Sequence, residues 1–313
     1  MQNRTRPTSR VLVIKHGAFG DIVQTQGALA DIRDHYREAN ISVLSDPNFS
    51  RLWARCPYVD SMISDSRAPL HKLGVLRELR RDLRRFDPDV VIDLQNTSRT
   101  NLYRKCFLRG SIWSFIESPR SQSCKYPKSM SSLLRLSGQL SEFGVVLNRT
   151  QTPEISWLCN DVGHHLSASN VQSPYVVLIP GSSARHPQKR WSHYDVLATK
   201  LQVAGFDVVT VPGPGEHELC GRIPGKVLTG NNFLDWFDFA GILNGAEFVV
   251  GNDTGPSHIA AHLDRPGLAL FSSHTSAEAT GILTRRMMEI EVDDLSVLTV
   301  DTVWQKLTEL NLV

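Results

Sequence analysis

Short apolar runs, rich in β-branched residues, alternate along the chain with amphipathic stretches. RVLVIK (10–15) leads to a helical pattern at 21–38, and ISVLS (41–45) follows it. A second helical pattern, near 71–86, precedes DVVIDLQ (89–95). There Leu76, Leu79, Leu83 and Phe86 recur at spacings of three and four, which builds one apolar face. Another helix is predicted near 129–144. The alternation then restarts with YVVLIP (175–180), helix 192–204, DVVTVPG (207–213) and a short helix. KVLTG (226–230), helix 233–244, EFVVG (247–251), helix 256–263 and GLALF (267–271) complete the strand series, and a final helix is predicted near 300–311. Strands alternating with helices, with few hairpin signals, mean parallel sheets covered on both faces. Two such series predict two doubly wound α/β domains. The polar stretch NDVGHHLSASNVQSP (160–174) marks their boundary, giving domains 1–168 and 169–313.

The length of 313 residues suits two domains. Apolar residues at 41% and charged residues at 21% fit an ordinary globular protein, and a net charge of +2 is too mild to imply nucleic acid. No apolar run nears the roughly 18 residues that span a bilayer. The N-terminus, MQNRTRPTSR, lacks the apolar core of a secretion signal. The five cysteines are odd in number and form no CxxC pair, so a reducing cytoplasm is expected.

Ligands of such sheets bind at the carboxyl ends of strands, and three loops there are rich in chemistry. KHGAFGD (15–21) has neither the G-x-G-x-x-G of dinucleotide sites nor the G-K-[ST] of phosphate loops. Gly17 and Gly20 permit a tight turn and close backbone approach. Asp21 opens the following helix and reads either as a partner of the helix dipole or as a general base aimed into a cleft. Lys15 is a solvated strand end or an acceptor contact, and His16 reads as structural. In PGSSARHPQKRWSHY (180–194), Gly181, Ser182 and Ser183 can offer amides and hydroxyls to an anion, and Lys189 a mobile charge; an ordinary surface loop is the other account.

VVGNDTGPSHIAAHLDRP (249–266) is the most specific stretch. Pro256 takes the favoured first helical position, so Thr254 and Gly255 present amides at a helix N-terminus, a ready anion site. Asp253 beside an anion makes sense if its carboxylate shapes the turn. His258 and His262 have a spacing that can hold zinc, but no third ligand is evident and no metal or other cofactor is expected.

KHGAFGD, the KRW of the second loop and NDTGPSHIAAHLDRP occur in the order and placement of bacterial heptosyltransferases, glycosyltransferase family 9, and DPDVVIDLQ (87–95) resembles the same family. The resemblance implies a GT-B fold, two Rossmann-like domains facing a central cleft, with acceptor on the first and nucleotide-sugar on the second. It implies inverting transfer of heptose from ADP-heptose to an acidic lipopolysaccharide inner-core glycolipid or oligosaccharide. Asp21 matches the family's base, Lys189 its diphosphate lysine, and Asp253, Thr254, Gly255 and His258 its nucleotide loop. Glu218 matches a carboxylate on the ribose hydroxyls, with Glu216 as rival. FSSHTSAEATG (271–281) departs from the family's Gly-Pro-[TS] turn, and His262 stands where a small residue is usual.

Arg99, Arg104, Arg120, Lys125 and Lys128 lie in the segment expected to face the acceptor. Arg77, Arg80, Arg81, Arg84 and Arg85 crowd one helix, either as a solvated face or as a peripheral dock on the inner membrane. Rival functions are a GT-B transferase or epimerase using another nucleotide-sugar, and a non-catalytic nucleotide-sugar-binding protein.

Overall fold

The computed structural model describes residues 8–117, 124–183, 186–230 and 233–313. The chain divides into two compact units, Met1–Pro153 and Glu154–Val313.

In the first unit, β1 (Arg10–Ile14), β2 (Asn40–Ser45), β3 (Ser61–Ser64), β4 (Val90–Asp93) and β5 (Ile112–Ser114) form a parallel sheet in the order β3-β2-β1-β4-β5. Its helices are α1 (Phe19–Gln24), α2 (Gln26–His35), α3 (Ser50–Arg55), α4 (Leu73–Phe86), α5 (Ser98–Cys106) and α6 (Ser132–Glu142). Val11 to Ile14 are fully buried, as a central strand covered on both faces requires. Leu12 and Ile14 pack with Leu44, Leu79, Leu83 and Tyr103. The predicted helix 21–38 is two helices, joined at Thr25.

The second unit contains β6 (Tyr175–Ile179), β7 (Asp207–Thr210), β8 (Lys226–Val227), β9 (Phe248–Asn252), β10 (Gly267–Ser272) and β11 (Met287–Val292). All pair in parallel, in the order β11-β10-β9-β6-β7-β8. Its helices are α7 (Gly163–Ala168), α8 (Tyr194–Val203), α9 (His217–Gly221), α10 (Trp236–Gly245), α11 (Gly255–His262), α12 (Ala277–Thr280) and α13 (Val300–Glu309). The strand series does not close at β10, because β11 extends the edge with an alternating, half-buried sequence.

Residues 154–168 belong to the second unit rather than the first. The Asn160 amide N–H donates to the Phe237 carbonyl at 3.0 Å, and Asn160 Nδ2 to Asp238 Oδ1 at 2.8 Å. Gly241 lets this segment lie on α10: a Cβ there would fall 2.3 Å from the Asn160 carbonyl oxygen.

In each sheet the strand order reverses once, between β1 and β4 and between β6 and β9. Loops leaving neighbouring strands diverge at such a switch point and open a crevice. The loops after β1, β6 and β9 are the three singled out in the sequence.

Two glycines test the packing of the first unit. A Cβ on Gly27 would lie 2.0 Å from the Arg149 carbonyl oxygen, whereas one on Gly74 meets nothing within 4 Å. Gly27→Ala is expected to destabilise the protein by about 1–3 kcal/mol, the range for overpacking. Gly74→Ala, inside α4, is expected to be neutral or to stabilise by about 0.5–1 kcal/mol. Urea denaturation of both variants beside wild type checks the contrast, and equal effects would contradict it.

Candidate functional site

At the first switch point a cavity of about 120 Å³ opens between the loops after β1 and β4 and helix α6. Lys15, Asp21, Gln95, Asn96, Lys128 and Arg135 are among its lining residues. Gly17 holds a φ of +142°, which a side chain rarely adopts, and a Cβ would press on the Phe49 ring at 3.0 Å. Gly20 is not part of that turn; it is already the second residue of α1. Asp21 Oδ2 accepts the Ala18 N–H at 3.2 Å, so its carboxylate caps α1. The same oxygen lies 3.9 Å from Lys15 Nζ, and the Asp21 side chain is half exposed to solvent. The capping role and the aim into a cavity are both present.

The cavity is rich in poorly solvated positive charge. Lys15 is buried, and burial lowers the pKa of its ammonium while Asp21 pulls the other way. Burial also lowers the pKa of the Arg135 guanidinium, and Arg135 Nε is buried without a hydrogen-bond partner. Arg135 carries no motif signal in the sequence; only the fold brings α6 to this loop. Lys128 lines the cavity, whereas Lys125 pairs with Glu142 on the surface. Arg120 lies outside the described residues.

Behind the loop, buried polar groups fix the backbone. His16 Nε2 lies 2.8 Å from Asp65 Oδ2, which also accepts the Tyr103 hydroxyl at 2.6 Å. Burial pushes the Asp65 carboxyl up, but its hydrogen bonds with His16 and Tyr103 outweigh this and hold it below the usual value. The His16 N–H donates to Gln95 Oε1 at 2.9 Å. Asp93 Oδ1 accepts the Gln95 and Asn96 N–H groups at 3.0 and 2.9 Å, and burial raises its pKa.

In the second unit the loops after β6 and β9 are joined by Asn252. Its Nδ2 donates to the Pro180 and Gly181 carbonyls at 2.8 and 3.2 Å, and its Oδ1 accepts from the Trp191 N–H and the Tyr194 hydroxyl at 3.3 and 3.0 Å. All four hydrogen-bonding positions of the amide are filled. Asp253 follows, buried, in an ion pair with Lys189; its Oδ2 also accepts the Thr275 hydroxyl at 2.7 Å. Thr275 comes from the segment that departs from the family turn, so that segment still reaches the loop. Thr254 and Gly255 open α11, whose first-turn amides have no intrahelical acceptor. Ser257 Oγ donates to the Asn252 carbonyl at 2.6 Å and tightens the turn. Ser182 does not offer a spare hydroxyl: its Oγ donates to the His186 carbonyl at 3.0 Å and accepts Arg190 Nε at 3.1 Å. Ser183 is exposed.

The two candidate carboxylates of the second unit separate. Glu218 forms an i,i+4 pair with Arg222 on an exposed surface. Glu216 instead accepts the Gly213 N–H at 3.0 Å and lies against Gly181, where a Cβ would overlap its carboxylate at 2.1 Å. Glu216, not Glu218, therefore adjoins the loop after β6. His258 Nε2 lies 3.9 Å from Asp253 Oδ1. Its ring stacks at 6.4 Å on that of His262. His262 Nε2 is buried without a partner. No group of three His, Cys, Asp or Glu side chains that could hold a metal gathers among the described residues. Among those residues no helix is long and apolar enough to cross a membrane.

The family profile of glycosyltransferase family 9 (heptosyltransferase) matches residues 76–298. Lipopolysaccharide heptosyltransferase 3 of Escherichia coli is 23% identical over 281 residues, covering 81% of each chain. Lipopolysaccharide heptosyltransferase 1 of Pseudomonas aeruginosa is 26% identical over 309 residues, covering 91% of this chain and 84% of the relative. The structure of E. coli heptosyltransferase WaaC with ADP-2-deoxy-2-fluoro heptose superposes with a TM-score of 0.72, at 21% identity, over 96% of this chain and 99% of that one.

His262 makes acid stability a test of this site. Burial first, and the neighbouring His258 second, lower its pKa from 6.5 to about 3. Between those values the unfolded chain binds a proton that the folded chain refuses, so stability is full above pH 6.5 and falls as the pH drops towards 3. The penalty is on the order of a few kcal/mol. Removing the imidazole with His262→Leu is expected to flatten that part of the stability-versus-pH curve. Urea midpoints at pH 7, 5 and 4 check it; parallel curves for variant and wild type would contradict the buried neutral imidazole.

Proposed function

The chain belongs to glycosyltransferase family 9, and on that premise we propose that it transfers heptose with inversion from ADP-heptose to an acidic inner-core acceptor of lipopolysaccharide. The observation that carries this reading is the Lys189–Asp253 ion pair at the first turn of α11. A lysine beside a helix N-terminus is a site for a diphosphate, and the adjacent aspartate holds the lysine in place until that diphosphate competes for it.

Relatives named lipopolysaccharide heptosyltransferases and a WaaC structure with ADP-2-deoxy-2-fluoro heptose support this choice of donor and acceptor. In the proposed reaction an acceptor hydroxyl attacks the anomeric carbon from the face opposite the departing ADP. Negative charge grows on the leaving diphosphate as the anomeric bond breaks. Lys189, the Thr254 and Gly255 amides and the α11 dipole receive it; one preorganised donor of this kind is worth about 3–4 kcal/mol in the barrier. Asp21 takes the hydroxyl proton. Its contact with the Ala18 amide orients the carboxylate, and Lys15 balances its charge. Glu216 takes the ribose hydroxyls in place of Glu218, because it is the carboxylate that adjoins Gly181.

The acceptor lies in the cavity beside Asp21. Lys15, Lys128 and Arg135 suit an anionic sugar, and the unpartnered Arg135 Nε supplies a donor that such a group would satisfy. Such an acceptor places the enzyme in the cytoplasm, in peripheral contact with the inner membrane.

Two experiments test these roles. In Asp21→Asn the carbonyl oxygen can still accept the Ala18 N–H, so melting temperature and ADP affinity are expected to match wild type. Turnover with an ADP-heptose donor is expected to fall 10²–10⁴-fold, the usual loss on removing a general base. Turnover within a few-fold of wild type would reduce Asp21 to a helix cap. By calorimetric titration with ADP, Glu216→Ala is expected to weaken binding at least about tenfold and Glu218→Ala to leave it unchanged, a difference of about 1.4 kcal/mol or more. The reverse order would return the ribose contact to Glu218.

A further inference from the structure

Helix α4 carries four arginines, Arg77, Arg80, Arg84 and Arg85, for which no ion pair is found among the described residues. Three arginines elsewhere on the same unit do find carboxylates: Arg33 pairs with Asp60, Arg67 with Asp46 and Arg149 with Asp34. Within α4 only Arg81 has a carboxylate close by, Asp82 at 3.5 Å.

The charges on one arc of the helix are purely basic. At 3.6 residues per turn, Leu73, Arg77, Arg80 and Arg84 share an arc of about 60°, and Glu78 and Asp82 lie about 130° and 170° from its centre. The buried face, Leu79 and Leu83, lies on another side. Arg81 and Arg85 lie on the same side as Glu78 and Asp82, each three residues from one of them, so the mixed charges gather there and the Leu73–Arg84 arc carries arginine as its only charge. The basic stripe ends in apolar residues that are more than half exposed. Leu70 and Leu73 are 53% and 59% exposed, next to the exposed Lys72. They follow β3, at the same carboxyl edge of the sheet as the cavity holding Lys15 and Asp21.

We propose that the Leu70–Leu73 tip and the Arg77–Arg80–Arg84 stripe of α4 dock the first unit on an anionic phospholipid surface. The leucines enter the boundary of headgroups and acyl chains, and the guanidinium groups lie among the lipid phosphates. The docking deepens the membrane contact proposed above by giving it a surface. It needs neither donor nor acceptor, so it is measured without them.

The test is sedimentation of the full chain with vesicles. Wild type is expected to pellet with vesicles of phosphatidylglycerol and phosphatidylcholine in equal parts, to remain soluble with phosphatidylcholine alone, and to be released by added salt. Each basic residue near such a surface contributes about fivefold. Arg77→Glu/Arg84→Glu is therefore expected to weaken binding by well over tenfold, and Leu73→Ser by a few-fold, with melting curves unchanged because these side chains are exposed. Transfer to a lipid-free acceptor is expected to be unaffected in both, which separates failure of docking from failure of the catalytic reading. Absence of wild-type binding, equal binding to both vesicle types, or unchanged binding in the double variant overturns the proposal. So does equally tight binding to duplex DNA, which would mark a general polyanion surface.

Discussion

A parallel sheet supplies its own backbone partners only as far as the strands run side by side. At the carboxyl end the strands part, yet the chain is still inside the protein, where an unpaired amide or carbonyl costs on the order of 1–3 kcal/mol. Buried side chains must take over from the ladder. In the second unit Asn252 does so, binding the Pro180 and Gly181 carbonyls and the Trp191 amide. In the first, Asp93 receives the Gln95 and Asn96 amides, and Gln95 receives that of His16. The loops that carry Lys15, Asp21 and Lys189 are held by these groups. The polar residues beneath each site therefore belong to the fold as much as to the chemistry.

Both units also treat a lysine in the same way. Lys189 is held by Asp253, and Lys15 lies 3.9 Å from Asp21. An ammonium withdrawn from water is costly unless a carboxylate accompanies it, and burial indeed lowers the pKa of Lys15. The partners differ in exposure. Asp253 is buried and also held by Thr275, which suits a structural anchor, whereas the Asp21 side chain is half exposed. Exposure leaves Asp21 room to meet a ligand, and burial leaves Asp253 little.

Much of this was legible in the sequence where the signal was local. Long buried strands such as Val11–Ile14 and Tyr175–Ile179 announce themselves as unbroken apolar runs, and Asp253 to His258 stand in one motif. The short strands β3 and β5 and the half-buried β11 do not, because SMIS, IWS and MMEIEV lack such a run. The stretch 160–174 looks like a linker by its polarity, yet Asn160 uses that polarity to bind α10. Glu216 and Glu218 stand two residues apart in a loop and a short helix, where no periodicity tells which side chain turns inward. Arg135 and Tyr103 reach their partners only through the packing of α6 and α5, so the pattern of their own neighbours is silent about them.

At Asp21 the observed capping role and the proposed catalytic role need not compete. Its contacts with the Ala18 amide and with Lys15 both go through Oδ2. A carboxylate has two oxygens and roughly four lone-pair sites, so these contacts leave most of its accepting capacity unused. The amide contact fixes the carboxylate at the helix start, and Gly17, with its positive φ, sets the turn before it. In the role proposed for it, a carboxylate fixed this way would not have to be ordered when an acceptor arrives, and the entropy of holding it is met on folding. The helix start that makes Asp21 look ordinary in the sequence thus also fixes where its carboxylate lies, and its half exposure beside a basic cavity is the feature that a cap alone would not require.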